Sequence, residues 1–187
     1  QAVHFRGNQV GDYIEVPTNN VDSLSQITIS SWVNISEFDL NCWMGMEGIL
    51  TRDDANSVNH FALQVIRNYD PACGSATSLD SIGFRLTFTN SVYVETNRIF
   101  DPNKWYYVTG TYDGKVLRIY VDAVLVAEDI SHPGLTVTGN SPMWINSHFY
   151  WGSNTLGRMG GMIDELRLYD RALNLSEIDS LYKQRII

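Results

Sequence analysis

The sequence has few basic residues and no long apolar run, and both features exclude classes of function. Its 13 Lys and Arg residues are outnumbered by 21 Asp and Glu residues, which gives a formal net charge of −8. A surface that follows nucleic-acid phosphates needs clustered Lys and Arg, so no nucleic-acid partner is expected. No stretch of about 18 apolar residues is present, so no membrane insertion is expected. A chain of 187 residues can bury a sizeable core, and we expect one domain over residues 1–187.

Cysteine is also scarce, since Cys42 and Cys73 are the only two. Neither belongs to a CxxC motif and the four histidines are scattered, so no zinc site is predicted. Cys42 precedes the strand-like segment GILTR, and Cys73 follows the strand-like segment FALQVI. If these segments pair as a hairpin, both cysteines lie at the same end of it, which is compatible with a disulfide or with two free thiols. A disulfide would indicate an oxidising compartment, and therefore a secreted or cell-surface protein.

Most of the chain alternates in the manner of β-strands. In residues 105–129, Asp113-Gly114 predicts a type I′ hairpin turn, and Asp122-Ala123 predicts a second, less ideal turn. Further along, Asn174 and Glu177 have the spacing of a capping box and predict one short C-terminal helix. The pattern predicts an all-β sandwich of two antiparallel sheets with a helical tail. The aromatic residues expected in the core or on strand faces are Trp32, Trp105, Tyr107, Tyr112 and Tyr120.

Four segments occur in an order that resembles a known family. They are VHFRGNQVGDYIEVP (3–17), ITISSWV (27–33), WYYVTGTYDGKVLRIYVDAVLVAED (105–129) and GMIDELRLYDRALNLSEI (161–178). This succession is similar to the laminin-G-like, concanavalin A-like lectin and glucanase jelly-roll domains, which occur as modules of secreted and cell-surface proteins. The resemblance implies a jelly-roll sandwich. It leaves the function open, because this fold hosts lectins, receptors, lyases and glucanases alike.

Asp164 and Glu165 interrupt an apolar strand near the end of the chain and raise the question of catalysis. Adjacent residues of a strand point to opposite faces, so these two carboxylates cannot converge as an acid and base pair. Glucanases of this fold place carboxylates at alternating positions, whereas Ile163 and Leu166 flank the pair here. Lyases of this fold need Arg, Gln-His and Tyr signatures, and FALQVI supplies Gln64 without the histidine. We therefore predict that the chain is not an enzyme.

The resemblance also implies a structural calcium ion between the N-terminal edge and the penultimate strand. Asp164 would supply a carboxylate, and Asn8 with carbonyls near Gly7 and Gly11 would complete a shell of about six to eight oxygen ligands. The family has an acidic residue where this chain has Arg6. Two alternatives to a metal ion therefore remain. Arg6 could pair with Asp164 or its acidic neighbour, or Asp164 could accept backbone hydrogen bonds in a turn.

Two segments, residues 52–60 and 146–158, combine planar polar groups with aromatic rings. Sugar recognition uses aromatic faces against C–H surfaces and planar side chains against hydroxyl pairs. We expect both segments to lie on one rim of the sandwich and to form a shallow site there. The candidate ligand-binding residues are Arg52, Asp53, Asp54, His148, Tyr150 and Trp151. The alternative places for the site are Trp43 and the concave face of the sandwich.

These patterns favour a non-catalytic, lectin-like carbohydrate-binding module of a secreted or cell-surface protein, with a glycan or polysaccharide as its partner. A second hypothesis is a protein-recognition module in the style of laminin-G domains, used in adhesion to a cell-surface protein. A polysaccharide-cleaving enzyme is the third. An aromatic-floored pocket would favour a sugar, whereas a flat apolar patch of roughly several hundred Å² would favour a protein.

We predict that Cys42 and Cys73 are joined by a disulfide. Closing a loop of this length would stabilise the folded state by about 3 to 4 kcal/mol, because it restricts the unfolded chain. Mass spectrometry of non-reduced peptides should find both cysteines in one cross-linked species. If both thiols can be alkylated in the native, unreduced protein, the prediction is wrong.

Overall fold

Strands account for most of the described chain. The computed structural model describes residues 1–7, 12–17, 23–37, 46–52, 61–67, 82–89, 92–96, 100–138, 141–150, 153–156 and 158–184, without the side chains of residues 67, 148–150 and 153–156. Within these ranges there are sixteen strands and one helix. The strands are β1 (Val3–Arg6), β2 (Ile14–Val16), β3 (Ser23–Leu24), β4 (Ile27–Glu37), β5 (Met46–Arg52), β6 (Phe61–Arg67), β7 (Ile82–Phe88), β8 (Tyr93–Glu95), β9 (Trp105–Tyr112), β10 (Leu117–Val121), β11 (Val124–Asp129), β12 (Val137–Thr138), β13 (Met143–Ile145), β14 (His148–Tyr150), β15 (Ser153–Leu156) and β16 (Gly160–Tyr169). The helix is α1 (Leu175–Lys183).

Two six-stranded antiparallel sheets pack face to face. The first sheet has the order β1-β16-β4-β9-β10-β11, and the second has the order β2-β13-β5-β6-β7-β8. One apolar cluster fills the space between them, and it includes Ile29 and Val33 of β4 as well as Leu63 of β6 and Phe84 of β7. The prediction of a two-sheet, all-β sandwich with a short C-terminal helix is confirmed. In the described part of the chain, no helix is long and apolar enough to cross a membrane.

A separate aromatic cluster covers the outer face of the first sheet. Because residues alternate along a strand, Trp32 of β4 and Tyr107 of β9 point away from the main core. Tyr182 of α1 stacks on Trp32 with ring centroids 5.5 Å apart, and Ile178 of α1 is fully buried in the same cluster. The helix therefore seals this face. The predicted aromatic packing is confirmed for Trp32, Tyr107, Tyr112 and Tyr120, which are buried, and for Trp105, which is partly buried against the cluster.

The predicted type I′ turn at Asp113-Gly114 is wrong. Tyr112 pairs with Leu117, so four residues rather than two connect β9 and β10. The Asp113 carboxylate accepts hydrogen bonds from the amides two and three residues further on, at 3.0 and 2.9 Å. An aspartate that bonds its own downstream backbone in this way favours the wider loop over a tight two-residue turn.

The less ideal sequence, Asp122-Ala123, forms the tight turn instead. These two residues connect Val121 to Val124, and their φ angles are 51° and 61°, both positive as a type I′ turn requires. The Asp122 side chain accepts a hydrogen bond from the Tyr107 amide at 2.9 Å, which holds the residue in its left-handed conformation. A tertiary hydrogen bond thus replaces the glycine that the turn usually needs.

The hairpin that was expected between the two cysteines is present. β5 and β6 pair antiparallel, with Met46 opposite Ile66 at the end where the chain leads away to Cys42 and Cys73. Both cysteines lie outside the described residues. The disulfide therefore stays a prediction, while the hairpin on which it depends is confirmed.

The helix α1 begins with the predicted capping box. The Asn174 side chain accepts a hydrogen bond from the Glu177 amide at 3.0 Å, and the Glu177 carboxylate accepts one from the Asn174 amide at 2.9 Å. Arg171 donates two further hydrogen bonds to that carboxylate, at 3.0 and 2.7 Å. The bonds from Arg171, and then the one from the Asn174 amide, lower the pKa of Glu177 to about 2.

We predict that this cap makes the stability of the domain depend on pH. The pKa of Glu177 is about 2 in the folded state and has an ordinary value of 4.5, so the contribution is complete above that ordinary value and is lost as pH falls toward 2. Melting temperatures across this acidic range should show a component in the wild type that Glu177→Gln lacks. Asp179→Asn, on the same helix but outside the cap, should retain it. Identical pH profiles of the wild type and Glu177→Gln would contradict the prediction.

Candidate functional site

The outer face of the second sheet carries polar side chains. Leu63 of β6 and Phe84 of β7 point into the core, and the residues between such positions point outward. The outward residues include Gln64, whose Oε1 accepts a hydrogen bond from Thr87 Oγ1 at 3.1 Å. By the same register, the surface that we call the polar face consists of Thr51, Gln64, Arg85, Thr87, Tyr93, Glu95 and Trp144.

An ion pair and an aromatic ring lie together at the β8 edge of the polar face. Arg85 Nε donates to Glu95 Oε1 at 2.5 Å, and Arg85 Nη2 donates to the same oxygen. The Arg85 guanidinium lies 4.1 Å from the centre of the Tyr93 ring, within the range of a cation–π contact. Arg85 Nη1 contacts Met46 Sδ at 2.8 Å. Burial lowers the pKa of Arg85 from its ordinary value, but a guanidinium remains protonated at any physiological pH.

A crossing segment covers the part of the polar face that is nearer to β5. Thr51 Oγ1 donates a hydrogen bond to the Ser147 carbonyl at 2.7 Å. Gly48 lies under the same carbonyl, and a Cβ there would be only 2.2 Å from that oxygen, so glycine is required for this approach. Gln64 is 1% exposed, whereas Tyr93 is 45% exposed. The accessible part of the polar face is therefore its β8 edge.

The structure describes only part of the predicted ligand-binding set. Asp53, Asp54 and Trp151 lie outside the described residues, and His148 and Tyr150 are described only as backbone in β14. Arg52 is fully buried on the core side of β5, with its guanidinium 5.7 Å from the Phe61 ring. A contact with a sugar needs an exposed side chain, so the structure gives Arg52 a packing role in place of the predicted contact.

The two predicted ligand-binding segments do not leave the second sheet at one rim. β13 lies antiparallel beside β5, with Met143 opposite Arg52 and Ile145 opposite Leu50. The segment after Arg52 and the segment after Ile145 therefore leave in opposite directions. Ser147, at the start of the second segment, crosses the outer surface of β5, so the described start of that segment borders the polar face.

A β-bulge follows Asp164 in β16. Asp164 lies opposite Trp32 and Arg167 lies opposite Ser30, so two residues of β16 face one of β4. Glu165 has a φ of 51°, and its amide donates a hydrogen bond to Asp164 Oδ1 at 3.0 Å. Asp164 therefore accepts a backbone hydrogen bond, as one interpretation held, but it does so at a bulge within a strand and not in a turn. The side chain of Glu165 is bound by Arg167 at 2.5 Å.

The alternative in which Arg6 pairs with one of these acidic residues is wrong. Arg6 donates from Nε and Nη2 to the Asp12 carboxylate, at 2.9 and 2.8 Å, and its backbone amide donates to the same group at 3.0 Å. These bonds lower the pKa of Asp12 to about 2. Arg6 thus closes the loop between β1 and β2 instead of reaching β16.

The described residues do not fit the calcium ion that the family resemblance implies at Asp164. β1 pairs with β16 so that Arg6 is opposite Gly160, and Gly7 lies against Gly160 as well. Asp164 is four residues further along the strand, about 13 Å away at roughly 3.3 Å per residue. Ligands of one calcium ion lie within about 5 Å of each other, so Asp164 cannot share an ion with carbonyls near Gly7. Asn8 lies outside the described residues, and within them no group of three acidic, His or Cys side chains could hold a metal.

Arg85, Tyr93 and Glu95 are the site residues that the sequence analysis missed. The alternation in GFRLTF predicted the strand but not which residues of the next strand would lie beside Arg85. The register places Arg85 beside both Gln64 and Glu95, so an arginine, a glutamine and a tyrosine share the polar face. The lyase pattern also needs a histidine, and the two histidine side chains in the described chain, His4 and His132, are not on this face.

We predict that Asp164→Ala lowers the free energy of unfolding by about 1 kcal/mol, because the Glu165 amide loses its acceptor. The reduction should be the same in calcium and in EDTA, since the carboxylate closes a bulge. Thermal or urea unfolding in both buffers measures it. If wild type alone gains about 3 to 4 kcal/mol at roughly 100 to 1,000 times the calcium Kd, Asp164 binds the metal after all.

Comparison with solved structures shows what this fold is similar to. A pentraxin resembling SAP from Limulus polyphemus matches with a TM-score of 0.70 and 14% identity, over 96% of this chain and 80% of that one. Domain 4 of a GH43 extracellular arabinanase from Geobacillus stearothermophilus, in complex with arabinotriose, matches with a TM-score of 0.67 and 17% identity, over 97% of this chain and 76% of that one. The CBM40 of the Ruminococcus gnavus IT-sialidase, bound to α2,3-sialyllactose, matches with a TM-score of 0.68 and 14% identity, over 97% of this chain and 96% of that one.

Comparison with curated protein sequences gave no match. The structural similarities are all at low sequence identity, and they show the fold without showing a ligand. A family model decides the membership, because it matches residues 7–179 and so includes every strand from β2 to β16. The chain belongs to the Laminin_G_3 family of the concanavalin A-like lectin/glucanases superfamily.

Proposed function

We propose that this chain is a non-catalytic carbohydrate-binding module of a secreted or cell-surface protein, and that the sugar binds on the polar face. The observation that carries the proposal is the group of Arg85, Glu95 and Tyr93 at its accessible edge. A guanidinium beside a carboxylate suits pairs of sugar hydroxyls, and an exposed aromatic ring suits the C–H surface of a pyranose or furanose.

The fold supports this location over the opposite side of the molecule. On the outer face of the first sheet, α1 packs on the aromatic cluster and buries Trp32 and Tyr107, so these rings cannot stack on a sugar. The segments that contain Asp53, Asp54, His148, Tyr150 and Trp151 begin at the second sheet, after Arg52 of β5 and Ile145 of β13. We place these five residues at the border of the site, with Trp151 or Tyr150 as a stacking ring. Arg52 packs on the core side of β5, beneath this border.

Known ligands of proteins with this fold agree with the proposal. The arabinanase domain was solved with arabinotriose and the CBM40 with sialyllactose, and both ligands are oligosaccharides. One or two stacked rings and a few exposed hydrogen bonds give weak binding, with a Kd on the order of millimolar to micromolar, or about −4 to −8 kcal/mol. Such sites commonly act by holding an enzyme or an adhesin near a polymer.

A smaller apolar surface supports protein recognition as the second candidate. Leu125 of β11 is 46% exposed and lies opposite Tyr120 of the cluster under α1, and Leu175 at the start of α1 is 54% exposed. Ala123 and Leu175 line the same shallow depression. Exposed apolar side chains that adjoin each other can mark a protein-binding patch. The patch lies on the first sheet, so variants separate the two candidates.

We predict that a glycan array will detect binding, and that Trp151→Ala will abolish it while the melting temperature stays nearly constant. The reason is that a stacking ring at a border contributes contact area to the sugar and little to the core. Leu125→Ser, which changes the apolar patch, is the matched control and should bind like the wild type. A polysaccharide digest assayed for reducing ends and unsaturated products should stay blank.

Three other outcomes would change the proposed site or function. If Trp151→Ala unfolds the domain, that ring belongs to the core and the array must be repeated with variants of the polar face. If no glycan binds and Leu125→Ser abolishes attachment to cell-surface protein, the protein-recognition candidate replaces this one. Product in the digest would show that the chain is an enzyme.

A further inference from the structure

The edge of the polar face has the geometry to discriminate between kinds of sugar. Resting on the proposed function, we propose that Arg85, Glu95 and Tyr93 form a subsite for the vicinal hydroxyl pair of a neutral sugar, and that this subsite disfavours anionic sugars. Nothing in the fold comparison assigns these residues. The inference follows from how the Arg85 guanidinium and the Glu95 carboxylate bind each other.

The hydrogen-bonding capacity that remains on the ion pair suits two neighbouring hydroxyls. Glu95 Oε1 accepts both bonds from Arg85, whereas Glu95 Oε2 makes no hydrogen bond to the described part of the chain. A carboxylate oxygen is a strong acceptor for a hydroxyl proton. Arg85 Nη1 is directed at Met46 Sδ, and a thioether is a weak acceptor that a hydroxyl oxygen can replace. One hydroxyl would donate to Glu95 while its neighbour accepts from Arg85.

Tyr93 supplies the apolar part of the subsite. Arg85 covers one side of the ring at 4.1 Å, and β8 is the edge strand of the second sheet in the described part of the chain. The ring is 45% exposed. The exposed part of a ring that is held by a guanidinium offers a rigid contact surface for sugar C–H groups. Because Arg85 covers one face of the ring, the sugar would contact the exposed edge of Tyr93 while its hydroxyls reach the ion pair.

The balance of charge determines the selectivity. Arg85 and Glu95 have side-chain exposures of 21% and 33%, and their charges cancel. A sugar carboxylate that bound Arg85 would have to displace Glu95 and would then lie beside a second, partly buried negative charge. Separating a partly buried pair and adding a like charge both cost free energy. The whole chain carries a net charge of −8, which further repels anionic polymers.

The comparison proteins provide suitable probes for both classes. Arabinotriose, or any neutral hit of the glycan array, serves as the neutral probe, and α2,3-sialyllactose serves as the anionic one. The variants are Tyr93→Ala, which removes the contact surface, and Glu95→Gln, which keeps the shape and removes the charge. Tyr13→Ala is the matched control, because Tyr13 is 43% exposed, lies beside β2 at the opposite edge of the same sheet and also has an arginine, Arg158, over its ring at 5.0 Å.

We expect the wild type to bind neutral probes in preference to anionic ones in titration calorimetry. Tyr93→Ala and Glu95→Gln should each weaken neutral binding by at least about tenfold, as expected when a stacking surface or a charge-assisted hydrogen bond is removed. Tyr13→Ala should bind as the wild type does. Glu95→Gln should in addition bind sialyllactose more tightly, because Arg85 is then no longer neutralised. A residue with a purely structural role would not produce that gain.

The remaining results can each be interpreted, provided that the melting temperatures show that the variants are folded. Should Tyr93→Ala fail to fold, Glu95→Gln alone decides through its opposite effects on the two probes. Neutral binding that neither variant weakens overturns the subsite and leaves the proposed function intact. A wild type that binds only anionic glycans overturns the selectivity. A wild type that binds no glycan overturns the proposed function, and this inference with it.

Discussion

One buried amide, Asn146, holds together the parts of the molecule that surround the polar face. Its side chain is fully buried, donates to the carbonyls of Asp12 and Met159 and accepts from the Met159 amide, each at 3.0 Å. Its φ is 58°, a left-handed conformation that asparagine tolerates better than most residues. This conformation turns the chain out of β13, so that Ser147 crosses β5. A single side chain therefore positions the N-terminal loop, both ends of the 146–158 segment and the cover of the polar face.

The two sheets meet the same physical requirement in different ways. Each sheet has an inner face in the common core, and each outer face must be either covered or hydrated. The first sheet presents Trp32 and Tyr107 outward, and an amphipathic helix buries them. The second sheet presents Gln64, Arg85 and Thr87 outward, and these satisfy one another or their neighbours by hydrogen bonds. The second arrangement leaves an ion pair and an aromatic ring accessible at the β8 edge, which is the basis for proposing recognition on that side.

Alternation in the sequence was enough to predict the sandwich, the β5–β6 hairpin and the capped helix, since these depend on local pattern. It was not enough to say which side of the sheet Arg52 occupies. A bulge between Gly48 and Leu50 inserts one residue into β5, and every side chain after it changes face. Without the bulge Arg52 would lie on the polar face; with it, Arg52 packs on Phe61. The neighbours of Arg85 likewise could not be predicted from the sequence, because the register between strands is set by the tertiary structure.

The bulge in β16 explains why two carboxylates interrupt an apolar strand. Ile163 points into the core, and strict alternation would then place Leu166 outward. The extra residue at Glu165 shifts the pattern, so that Leu166 and Leu168 pack against the core and Arg167 lies opposite Ser30 on the outer face. Asp164 makes the shift possible by accepting the hydrogen bond of the Glu165 amide. In the sequence this acidic pair resembles a catalytic or metal motif. In the structure it allows the bulge that reverses the face to which the following side chains point. In both sheets the chemistry of a side chain follows from the register around a bulge, and residue type alone does not determine it.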